Sequence, residues 1–146
     1  SEQPTSMTPY ACFYYALAAY RQALPEVAMQ TFTKLLQQYP TWHQRHEVLY
    51  WLAQLQFEQQ DYLAAFSYLA QIEDPAFEAS ILQIKMHFLS QAIAPHLLTT
   101  LFNQYPQDSI IAKAWLQQQV QLPFMQQDTN RMRQVAQQLK LLDWLY

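Results

Sequence analysis

The chain has 146 residues, a formal net charge of −3, 51% hydrophobic and 13% charged residues, and no glycine. That length is enough to bury a core, and the apolar content excludes a disordered chain. Eight Lys and Arg, spread along the sequence, provide no basic stripe to neutralise phosphates, which excludes nucleic acid as the expected partner. β-rich folds need glycine for turns with positive φ, whereas short helix connections do not, so the expectation is an all-α fold. The 24 glutamines, including Gln117-Gln118-Gln119, interleave with apolar residues at helical spacing and read as uncharged solvated helix faces. No run reaches the roughly 18 to 20 apolar residues of a membrane span. Cys12 is the lone cysteine, so no internal disulfide is expected, and it reads as a buried, inert thiol.

Residues 1–8 read as a tail or linker and residues 9–146 as a single helical domain. Thr8-Pro9 supplies an N-cap and a proline at the first helical position, predicting a helix to about Ala23. Pro25 opens a second helix with Ala28, Phe32, Leu35, Leu36 and Tyr39 inward, closed by Pro40. Thr41 with Gln44 forms a capping-box signal for a third helix. There Leu49, Leu52, Ala53 and Phe57 face a fourth helix that is capped by Asp61 and presents Tyr62, Ala65, Phe66, Leu69 and Ile72.

Asp74-Pro75 begins a fifth helix with Phe77, Ile81, Ile84 and Phe88 on one face, and Pro95 a sixth with Leu97, Leu98, Leu101, Phe102 and Tyr105. Asp108 or Ser109 caps a seventh with Ile110, Ile111, Ala114 and Trp115 inward, which Pro123 ends or kinks. Asp128 caps the eighth, where Met132, Val135, Ala136 and Leu139 share a face. The end, Leu141 to Tyr146, is apolar enough to cap the helices, to continue into a further domain or to drive self-association.

Two echoes run through this order. Ala28, Phe32 and Leu35 recur as Ala65, Leu69 and Ile72, each 37 residues later, and the segment Leu35 to Pro40 recurs as Leu101 to Pro106, 66 residues later. The residues Leu52, Ala53, Phe57, Asp61, Tyr62, Ala65 and Leu69, with Ala16, Tyr20, Ala28, Phe32, Leu35 and Pro40 before them, resemble the tetratricopeptide repeat. Gln60 stands where that pattern has a turn glycine and Gln56 where an aromatic is common. The resemblance implies a right-handed superhelix of about four antiparallel hairpins. It also implies a non-catalytic scaffold holding a peptide, helix or partner protein in a concave groove, without a cofactor. The Tyr-Pro endings and the Asp-Tyr turn are similar to bacterial periplasmic repeat proteins, such as those of the Tol-Pal system and outer-membrane barrel assembly.

On that resemblance the groove-facing residues are Phe13, Leu17, Tyr20 and Arg21 on the first helix and Tyr50, Gln54, Phe57 and Glu58 on the third. Tyr20 and Phe57 have a second reading as core between repeats. The alternatives to a scaffold are a self-assembling segment of a larger protein and a metal-dependent enzyme using His43, His46 and Glu47, which share a face at i, i+3 and i+4. That order is not the His-Glu-x-x-His pattern, and neither a nucleophile elbow nor a phosphate loop is present.

Overall fold

A computed structural model describes residues 7–140, and the apolar segment 141–146 lies outside the described residues. The described chain is all-helical, with eight α-helices in two compact units that divide after Phe77. No helix among the described residues is long and apolar enough to cross a membrane.

The first unit holds α1 (Pro9–Arg21), α2 (Pro25–Gln38), α3 (Arg45–Glu58) and α4 (Tyr62–Ala70), followed by a single 3-10 turn at Pro75–Phe77. Thr8 caps α1, its hydroxyl accepting from the Ala11 amide at 3.2 Å, and Pro9 occupies the first turn, where a missing N–H costs nothing. Asp61 caps α4 in the same manner, accepting from the Ala64 amide at 3.1 Å. The proposed capping box at Thr41 and Gln44 does not form. Residues after Tyr39 instead make tight turns, Trp42 N donating to Tyr39 O at 3.2 Å and Arg45 N to Trp42 O at 2.9 Å, so α3 starts at Arg45 with no side-chain cap. Trp42 explains the difference. Its ring packs edge-on against Tyr10 and Phe13 of α1, a tertiary contact that a local capping pattern does not register.

Both hairpins in this unit close the same way. Ala23 (φ 59°) and Gln60 (φ 65°) adopt the left-handed conformation just past α1 and α3. Each is bracketed by the paired bonds of a Schellman turn: Leu24 N to Ala19 O and Ala23 N to Tyr20 O in one, Asp61 N to Gln56 O and Gln60 N to Phe57 O in the other, all 2.9–3.0 Å. Ala16 and Ala53, and Ala28 and Ala65, again 37 residues apart, are fully buried, which lets paired helix backbones approach. Phe32 and Leu69, and Leu35 and Ile72, are likewise buried.

The inner face of α3 is wider than its expected stripe. Val48, Leu52 and Leu55 join Cys12, Ala16, Phe32 and Leu35 in one cluster with α1 and α2, while Leu49 and Ala53, also fully buried, lie outside that cluster on the side where α3 packs against α4. A helix packed on two sides buries two stripes.

The second unit holds α5 (Glu78–Leu89), α6 (Pro95–Gln104), α7 (Ser109–Gln121), a 3-10 turn at Phe124–Gln126 and α8 (Thr129–Gln138). Here α7 is central, packing against α5, α6 and α8. Consequently Ile111, Ala112, Trp115, Leu116 and even Gln119 are buried, whereas Ile110 and Ala114, expected inward, are only half-buried. Asp108 fixes the start of α7: Oδ1 accepts from the Ile110 and Ile111 amides and Oδ2 from Lys85 Nζ at 2.7 Å. Asp128 caps α8 and its own amide donates to Gln119 Oε1 at 2.9 Å. The Arg131 guanidinium lies over the Phe102 ring, 4.1 Å from its centre.

The 66-residue echo has a backbone counterpart. Tyr39 (φ −131°, ψ 63°) ends α2 and Tyr105 (φ −127°, ψ 64°) ends α6, each amide donating to the leucine four residues back. The proline that follows disfavours helical geometry for the tyrosine, consistent with both helices stopping there.

Candidate protein-binding surface

The eight residues nominated for a groove separate by position. Phe13 and Leu17 are core, 4% and 7% exposed, because α1 is covered by α2 and by the Val48–Leu52 side of α3, so this i, i+4 pair faces inward. Phe13 packs edge-on against Phe32. This corrects their assignment to a groove. Phe57 is half-buried with its ring 5.2 Å from Tyr62 of α4, and Tyr50 is half-buried with its ring against His46.

Tyr20, Gln54 and Glu58 come together. Tyr20 Oη donates to Glu58 Oε2 at 2.7 Å and Gln54 Nε2 donates to the same oxygen at 3.0 Å. The hydrogen bond to Glu58 raises the Tyr20 pKa above its usual value, with partial burial and the Glu58 charge adding to the shift, so the hydroxyl remains a donor. Trp51 completes the group, its ring 5.1 Å from Tyr20 and edge-on to it. Trp51 was not nominated, although Trp51, Gln54 and Glu58 at i, i+3 and i+7 share a helix face, which is the signal that would have found it. Arg21 is exposed beside Tyr20.

The His43, His46 and Glu47 face does not gather. His43 Nε2 shares a hydrogen bond with Tyr10 Oη at 3.0 Å, the His46 ring stacks on Phe77 at 3.9 Å, and Glu47 is exposed. Among the described residues no three His, Cys, Asp or Glu side chains meet as a metal ion would need. Cys12 is 1% exposed, its thiol directed at Thr31 O.

Each unit also carries an open groove. In the first unit Glu26, Met29, Gln30, Thr33, Lys34 and Gln56 line a groove of about 440 Å3 on α2 and α3. In the second, a groove of about 400 Å3 on α5 and α7 is lined by Leu82, Met86, Leu89, Ile110 and Ala114 together with the polar Ser90, Lys113 and Gln117. Compared with protein-family models, with curated proteins and with solved structures, the chain finds no significant match in any of the three.

Proposed function

We propose that this chain is a non-catalytic protein-interaction module of the helical-repeat kind, with the tetratricopeptide-like hairpins that its sequence resembles. The observation that supports this most is the repeated geometry of the first unit: two hairpins offset by 37 residues, each with buried alanines at equivalent positions and the same left-handed turn. In repeat proteins the fold supplies stability through stacked hairpins and leaves the exposed side chains of successive first helices available for recognition. The Tyr20, Trp51, Gln54 and Glu58 face lies on α1 and α3, the two first helices of these hairpins. Tyr and Trp are favoured anchors in protein interfaces because they bury large area with few rotatable bonds.

The test is quantitative capture from a native cell extract, followed by affinity measurement with the purified partner. A protein held by the wild type and bound at least ~10-fold more weakly by the Tyr50→Ala, Gln54→Ala double variant, with the melting temperature preserved, is the expected result. Recovery of only the chain itself would overturn the scaffold reading and favour a self-assembling segment. That second reading draws on the exposure of Phe124 (74%) and Met125 (91%) in the 3-10 turn before α8.

A further inference from the structure

Two helix C-termini converge on one carboxylate. Tyr20 is the penultimate residue of α1 and Glu58 the last of α3, and the 2.7 Å hydrogen bond between them brings those ends together. The final carbonyls of a helix concentrate partial negative charge, so a carboxylate in the last turn adds to the local potential where a cation would offset it. Among the described residues no basic group pairs with Glu58. Arg21 is the nearest in sequence to Tyr20, but it lies about 100° further round α1 and makes no ion pair with any described residue.

The surroundings hold this charge in place without neutralising it. Tyr20 and Gln54 both donate to Oε2, and Oε1 accepts no hydrogen bond from the described residues. The Tyr20 ring, edge-on to Trp51, stands beside it. Charge balance in the unit points the same way: Glu26, Glu47, Glu58, Asp61, Glu73 and Asp74 face only Arg21, Lys34 and Arg45 within residues 7–77.

We propose that Glu58, flanked by Tyr20 and Trp51, is the receptor for an arginine side chain of the protein partner. This deepens the interaction-module reading and rests on it. A planar guanidinium can donate to Oε1 and lie against the tyrosine ring at once, and it loses less hydration than an ammonium on doing so. A metal cation is a poor fit, because one free carboxylate oxygen falls far short of the six to eight oxygens that calcium takes.

The experiment is a 1H–15N NMR titration of the full chain with N-acetyl-arginine methylamide and, separately, with its neutral citrulline counterpart. The expected result is saturable shifts of the Trp51 indole N–H and the Gln54 side-chain amide with the arginine probe. The response should be at least ~3-fold weaker with citrulline, and weakened equally in Glu58→Gln, which retains the hydrogen-bonding shape without the charge. No saturable shift at those groups, equal response to citrulline, or an undiminished response in Glu58→Gln would each overturn the assignment. A drop in the Glu58→Gln melting temperature with no arginine response would identify the Tyr20 contact as purely structural. A null titration beside a partner that the Tyr50→Ala, Gln54→Ala variant loses removes the arginine receptor and leaves the interaction module standing.

Discussion

Gln60 holds a left-handed backbone between α3 and α4 although its Cβ makes that conformation costly. A chain without glycine has no inexpensive residue for such a turn, and Ala23 meets the same demand between α1 and α2. Replacing Gln60 by glycine relieves the steric cost and adds some unfolded-state entropy, for a net gain of ~0.5–1 kcal/mol. Urea unfolding of Gln60→Gly should therefore show a higher midpoint at unchanged slope, and a lower midpoint would mean that the Gln60 side chain stabilises the turn by more than its backbone costs. At this scale most of the local signals were legible. Thr8, Asp61, Asp108 and Asp128 all cap where a short polar side chain precedes a helix. Thr41 was the exception, since packing of Trp42 against Tyr10 and Phe13 overrode a signal worth about 1 kcal/mol.

Between elements, the small residues set how closely helices approach. Ala53 is fully buried on α3. Ala53→Leu should destabilise the first unit by about 1–3 kcal/mol through overpacking, read as a lowered thermal midpoint. An unchanged melting curve would place Ala53 away from a helix crossing. On α2, which packs against both α1 and α3, Ala28, Phe32 and Leu35 are buried as expected, whereas Leu36 and Tyr39 are only half-buried and Thr31 is covered in addition. The expected stripes on α3 and α7, which likewise pack against more than one other helix, are narrower than the buried faces. Periodicity identifies a buried face but not how many partners surround it, and that number decides whether Val48 and Leu55, or Ala112 and Leu116, are covered.

For the whole molecule, the division after Phe77 has a measurable consequence. The first unit contains its own buried cluster and its own caps, so a fragment spanning residues 7–77 should fold alone. Its far-ultraviolet circular dichroism should be helical and should melt cooperatively, with Trp42 and Trp51 reporting the same transition by fluorescence. A broad, non-cooperative melt would show that this unit depends on the remainder of the chain, as repeats that bury too little surface by themselves do.

The sequence by itself determined the all-α class, the eight helices, most of their ends and two internal echoes, because these follow from interactions within a few residues: hydrophobic period, prolines, caps and the lack of glycine. It also placed Tyr20, Gln54 and Glu58 among the candidates for a binding face. Only the tertiary structure decided that Phe13 and Leu17 turn into the core and that the half-buried Trp51 joins Tyr20, Gln54 and Glu58. It alone brought Tyr20 and Glu58, 38 residues apart, into hydrogen-bond contact at the ends of two helices. The reason is geometric. A helix period states which residues share a face, but which face meets a neighbour, and which ends converge, depends on how whole helices pack.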